Sequence, residues 1–234
     1  MTTNDWLNSV QNFLFPPTCV LCGLPGHNNL SLCRHCLSEL PYSNTACIRC
    51  AYPLTGNDHV LCGHCLTTPY AFERCYATFN YIEPMTHLIQ GLKFNKKLDL
   101  ALLLGELMAD NIARLMQNRP DVIIPVPLHP SRLRERGFNQ ALELSRPIAR
   151  KLRLPIDFQC CKRSRNTRVQ SSLPASERHL NVRGAFIVDK NIKARSVAIV
   201  DDVMTTANTM DEITKGLLKA GVERVEAWVC ARAV

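Results

Sequence analysis

Apolar residues recur along this chain with two different periods, and the switches between them outline its elements. Trp6, Leu7, Val10, Phe13 and Leu14 stand at helical spacing and predict a short amphipathic helix at the amino end. Arg74 to Tyr81 alternates and is rich in aromatic residues, as a strand does. Met85–Phe94 and Leu98–Met116 return to the helical period, and Asp121–Val126 is a short buried strand. Phe138–Leu152 reads as a helix that Pro147 bends or divides. Ile156–Cys160 reads as a strand, and Cys161–Arg183, with little periodicity and many Arg and Ser, as a long mobile loop. Strands follow at Ala185–Val188 and Ser196–Val200, then a helix at Ala207–Ala220 and a last strand at Arg224–Cys230. Short apolar strands alternating with helices predict an α/β fold, its parallel sheet covered on both faces. Such sheets bind ligands beyond the carboxyl ends of their strands, so the loops after Val126 and Val200 become the candidate positions.

Composition changes near residue 70. The first 70 residues are Cys-rich and punctuated by Pro and Gly, whereas the long apolar periods begin beyond them, which predicts domains over 1–70 and 71–234. At 46% hydrophobic and 21% charged residues the 234-residue chain has an ordinary globular balance, so wholesale disorder is excluded. No apolar run is long enough to span a membrane, and the first eighteen residues carry no Lys or Arg to mark an export signal. A cytoplasmic location is the expectation. The net charge of +8 is concentrated: Ser131 to Arg195 holds 16 basic and 5 acidic side chains, the remainder 12 and 15. That excess points to a polyanionic partner, either phosphate groups or nucleic acid.

Eight of the twelve cysteines form C-x-x-C pairs: Cys19/Cys22, Cys33/Cys36, Cys47/Cys50 and Cys62/Cys65. Without an export signal these read as metal ligands rather than disulfides. Two such turns complete one tetrahedral thiolate site, so four predict about two structural zinc ions. Sequential pairing closes loops of 10 and 11 residues, crossed pairing loops of 24 and 25. The shorter loops lose less entropy and are preferred, though spacing alone leaves both open.

The densest functional signal is Val197–Thr209, V-A-I-V-D-D-V-M-T-T-A-N-T. An apolar strand runs into Asp201 and Asp202, and small hydroxyl residues then open a helix. Unpaired backbone N–H groups at such a helix start favour an anion. Two neighbouring carboxylates can accept hydrogen bonds from a cis-diol, directly or through the waters of a magnesium ion. A simple helix cap would need one of these polar residues, not five.

This segment resembles the ribose-phosphate signature of type I phosphoribosyltransferases. Together with P-V-P-L-H-P (Pro125 to Pro130), R-x-x-x-R-G-F-N-Q (Arg132 to Gln140), the four C-x-x-C pairs and the order of Gln170, Arg178 and Asn181, the chain resembles the ComF family. That resemblance implies a parallel-sheet phosphoribosyltransferase-like core behind a small Cys-rich double zinc ribbon, and a part in DNA uptake during natural transformation. It implies that Asp201 and Asp202 hold ribose hydroxyls and that Thr205, Thr206, Ala207, Asn208 and Thr209 cradle the 5-phosphate of phosphoribosyl pyrophosphate. Arg132 and Arg136, with magnesium, would neutralise the pyrophosphate, and Asn139 and Gln140 would fix their loop. Ala207 departs from the family pattern, which has Gly there; Ala serves if that residue is already helical. No catalytic residue stands out: no general base is evident, and His129 and His179 are no more than candidates for one. The partners expected are phosphoribosyl pyrophosphate, single-stranded DNA and proteins of DNA uptake or processing. A nucleobase salvage phosphoribosyltransferase is the alternative.

Overall fold

The computed structural model describes residues 17–56, 60–95, 97–166 and 182–233. The expected amino-terminal helix, Gln170, Arg178, His179 and Asn181 lie outside them. The chain divides into two compact units, Met1–Pro41 and Tyr42–Val234. Compactness thus separates the two cysteine clusters, whereas composition changes only near residue 70, because the second cluster is built into the larger unit.

In the smaller unit a turn is closed by the Cys19 N–H donating to Leu24 O (2.7 Å) and the Gly23 N–H to Cys19 O (2.8 Å). Helix α1 (Arg34–Ser38) follows, its N-cap Cys33 accepting a hydrogen bond at Sγ from Cys36 N (3.4 Å). The larger unit repeats the device. The Cys47 N–H donates to Tyr52 O and the Ala51 N–H to Cys47 O, both at 2.8 Å, and α2 (Gly63–Thr67) starts immediately after Cys62.

The elements of the α/β unit follow as β1 (Arg74–Asn80), α3 (Met85–Phe94), α4 (Leu98–Leu115), β2 (Val122–Pro125), α5 (Pro130–Arg136) and α6 (Gln140–Leu152). After these come β3 (Cys161–Arg163), β4 (Phe186–Val188), β5 (Ser196–Met204), α7 (Asn208–Lys219) and β6 (Arg224–Arg232). The main sheet is parallel, in the order β1-β6-β5-β2. Val197, Ile199, Ala227 and Val229 cluster with Met210, Ile213 and Leu217 of α7. The period of two sends Ile123, Ala198, Val200, Trp228 and Cys230 to the opposite face, and these are fully buried too. Both faces are therefore covered, as expected of a parallel sheet.

Several elements differ from the pattern reading. Residues 130–136 form a helix rather than a loop: Pro130 stands at its first turn, and Gly137 ends it at φ +87°. Pro147 does not divide α6. Its ring lies where a Cβ on Gly105 of α4 would come within 2.3 Å of Pro147 Cγ, so the absent side chain at Gly105 admits the proline between the helices. Ile156 makes only a single parallel bridge to Ile123, and the strand lies just beyond, at β3. β3 pairs antiparallel with β4 in a separate two-stranded sheet, so Cys161–Arg163 is not loop. β5 continues past Asp201 and Asp202 to Met204, because β6 is long enough to pair with it throughout.

Candidate anion-binding site and metal centres

The carboxyl ends of β2 and β5 open onto a cavity of about 320 Å³. β5 brings Asp201 and Asp202 to its wall, the following loop brings Thr205, and α7 brings Thr209. The helical spacing of four places Arg132 and Arg136 on one face of α5, and both line the cavity, while Arg134 is exposed and does not. Of the other residues expected here, Thr206, Ala207 and Asn208 are not among the lining residues. Tyr81, Gln90, Lys93 and Arg163 are, and nothing in the sequence marks the first three for this site. Lys93 ends an amphipathic helix whose apolar face draws all the notice, and its partner lies more than a hundred residues away.

That partner is Asp202: Lys93 Nζ stands 2.5 Å from Asp202 Oδ2. Asp202 is buried at 3% exposure and Asp201 half-buried. The Asp202 N–H donates to Asp201 Oδ1, and the Val203 N–H to Asp202 Oδ1, both at 2.9 Å. Burial, reinforced by the neighbouring Asp202 charge, pushes the Asp201 carboxyl well above the usual carboxylate range. Burial works most strongly against Asp202 as an anion, but the Lys93 ammonium together with hydrogen bonds to the carboxylate, that of Val203 N–H among them, holds it below the usual range. Burial, followed by the neighbouring Arg132, lowers Arg163 from its ordinary value. Three guanidinium groups and one ammonium thus surround two carboxylates, an excess of positive charge suited to phosphate oxygens.

Hydrogen bonds fix this wall. Arg136 Nη1 donates to Gln140 Oε1 (2.5 Å), and its guanidinium lies 5.8 Å from the Phe94 ring centre. Asn139 caps α6 by accepting from Ala141 N (3.0 Å), and its Nδ2 donates to Val126 O (3.0 Å), tying helix to strand end. His129 caps α5, its Nδ1 accepting from Ser131 N (3.3 Å), which assigns that ring a structural part.

The threonine loop is unusual. Ala207 is left-handed, φ +62° and ψ 0°, so the supposition that this residue is already helical is wrong. Gly would adopt this conformation without strain, and the Cβ of Ala makes it costly. No side chain caps α7 at that residue, and the hydroxyls of Thr205 and Thr206 are buried without a hydrogen-bond partner. Buried polar atoms are seldom left so.

The eight paired cysteines assemble in chain order, Cys19, Cys22, Cys33 and Cys36 in one cluster and Cys47, Cys50, Cys62 and Cys65 in the other. Within each, all sulfurs lie within 4.8 Å of one another. The Cys22–Cys33 and Cys50–Cys62 sulfurs are 3.7 and 3.6 Å apart. Zinc–thiolate bonds of about 2.3 Å in a tetrahedron require sulfurs about 3.8 Å apart, so both sites fit the ion. Burial opposes ionisation of Cys47, but backbone N–H groups, first that of Cys62, draw its thiol down to about 7. Two structural zinc ions are the reading these four-cysteine sites support. Such closed sites leave no position for a substrate.

Comparison with known sequences agrees with this architecture. Residues 10–66 match the double zinc ribbon domain, and residues 98–233, more than half the chain, match the phosphoribosyl transferase domain. Competence protein F of Haemophilus influenzae is 38% identical over 208 residues, covering 86% of this chain and 84% of that protein. The chain belongs to the ComF family. A second relative, DNA utilization protein YhgH of Escherichia coli (strain K12), is 34% identical over 224 residues, 93% of this chain and 97% of its own length. Competence protein ComFC of Streptococcus pneumoniae is 24% identical over 157 residues, 67% of each chain. In this ComF chain, no described helix is long and apolar enough to cross a membrane.

Proposed function

We propose that this chain is a cytoplasmic protein of DNA uptake that binds phosphoribosyl pyrophosphate with magnesium and contacts single-stranded DNA. One observation carries the reading: Asp201, Asp202, Arg132, Arg136 and Thr205 face a single cavity. The carboxylates would accept hydrogen bonds from the ribose hydroxyls. The loop of Thr205, Thr206, Ala207, Asn208 and Thr209 would take the 5-phosphate. Arg132 and Arg136, together with magnesium, would neutralise the pyrophosphate. Relatives named competence protein and DNA utilization protein, along with the basic excess from Ser131 to Arg195, support the DNA role. Partners would include proteins of DNA uptake or processing.

Magnesium, when bound, would stabilise charge on the leaving pyrophosphate. The chain's own part in a transfer would be orientation of the sugar by the carboxylates and neutralisation by the arginines, with no protein nucleophile. A second reading, nucleobase salvage, is favoured by a groove of about 710 Å³ that adjoins the cavity at Leu128 and Arg163. Phe138, Phe158, Leu133 and Ile187 line it, a setting apolar enough for a planar acceptor.

Two assays on the purified protein discriminate. Labelled single-stranded DNA should bind with an affinity that falls steeply with salt, by roughly 0.7 logarithmic units per decade of salt for each phosphate contacted. Pyrophosphate release should be absent across a panel of nucleobases. Turnover with one base and no affinity for DNA would establish salvage instead.

A further inference from the structure

The second cysteine cluster and the threonine loop share two side chains. Arg232, at the end of β6, is 6% exposed. Its Nε donates to Cys50 O (3.0 Å), and its guanidinium stands 5.7 Å from the Tyr52 ring centre. From the same group Nη1 donates to Met204 O (3.1 Å) and to Thr205 O. Tyr70 reaches the next peptide, its hydroxyl donating to Thr206 O (3.0 Å). The Tyr70 ring stacks on Phe72 (5.2 Å, 7°) and lies 5.1 Å from that of His64, inside the Cys62–Cys65 turn. Arg49, between Cys47 and Cys50, closes the circuit: its Nη1 donates to Tyr70 O (2.9 Å) and Phe72 O (3.2 Å).

Carbonyl and N–H point in opposite directions across a planar trans peptide. Holding Thr205 O and Thr206 O on one side therefore aims the N–H groups of Thr206 and Ala207 the other way. It also keeps Ala207 in its left-handed conformation, which a free loop would relax. We infer that Arg232 and Tyr70 are positioning residues through which the metal bound by Cys47, Cys50, Cys62 and Cys65 sets the geometry of the threonine loop. The cluster is then part of the anion site's scaffold rather than a separate appendage. This inference rests on the reading that the loop binds a sugar phosphate.

The test uses the full chain with its zinc, the Tyr70→Phe variant, which keeps the ring and removes only the hydroxyl, and protein stripped by chelator. Amide exchange is followed by mass spectrometry over residues 204–209, with residues 196–200 as the control. Binding of phosphoribosyl pyrophosphate with magnesium is measured by calorimetry. Loss of one hydrogen bond should accelerate exchange in 204–209 and weaken binding by roughly 2- to 12-fold, with zinc content and the control segment unchanged. Chelation should accelerate loop exchange further, and added zinc should reverse it. Exchange in 204–209 identical to wild type in Tyr70→Phe overturns the inference. Accelerated exchange in a protein whose wild type binds no phosphoribosyl pyrophosphate upholds the coupling and removes the functional reading instead.

Discussion

Asp202, buried, and Lys93, half-buried, form an ion pair across more than a hundred residues of sequence, and the pair places a sign on the site's pH behaviour. Asp202 is held below its ordinary value, so the stability it contributes is present above about pH 4 and is lost as pH falls through its folded-state value. Lys93→Met leaves the carboxylate buried without its cation, and unfolding by urea at pH 7 should show a loss of about 3 kcal/mol. That loss should shrink as the pH falls toward 4, because burial without the cation lets the lone carboxyl take up a proton above its ordinary value. Ala207 supplies the opposite case, a residue whose backbone conformation works against the fold. Ala207→Gly relieves the left-handed strain but frees the unfolded chain, and the balance should be a gain of up to about 1 kcal/mol, read as a higher Tm. The pair Asp201–Asp202 was legible in sequence because two adjacent acids at a strand end exceed any capping need. Lys93 was not, because a cation at a helix end is ordinary until the fold brings an acid to it.

Elements with a sustained period were readable: α3, α4, α7 and the two long central strands differ from expectation only at their ends. The failures have local causes. α5 is seven residues of mostly charged sequence with no apolar period, and only Pro130 and Gly137 announced it. β3 has three residues and exists because β4, more than twenty residues on, supplies its partner. Pro147 looked like a helix breaker because its cost is local, whereas its compensation, Gly105, lies on another helix. A methyl group at Gly105 would meet Leu144 O at 2.7 Å as well as the proline ring, and neither can yield without moving α6. Gly105→Ala should therefore destabilise the chain by about 2 kcal/mol in denaturant unfolding, and an unchanged midpoint would mean that the helices separate easily.

For the molecule as a whole, the four-cysteine clusters were the most legible feature, since short loops select chain-order pairing and the sulfurs assemble that way. Elemental analysis of protein purified near pH 7.5 should give about two zinc ions per chain. Thiolate ligands must be deprotonated, so a chelator should strip the metal far faster below pH 6. What composition concealed is that the second cluster belongs to the same compact unit as the sheet. The contacts that make it so, through Arg232 and Tyr70, span up to 182 residues of sequence.

The cavity between β2 and β5 is the centre of the account, and calorimetric titration with phosphoribosyl pyrophosphate and magnesium tests it most directly. Wild-type protein should bind at one site per chain, and Asp201→Ala/Asp202→Ala, with its helical signal and zinc content retained, should show no heat of binding. Equal affinity in the two proteins would mean that the sugar phosphate sits elsewhere and that the carboxylate pair serves only the fold.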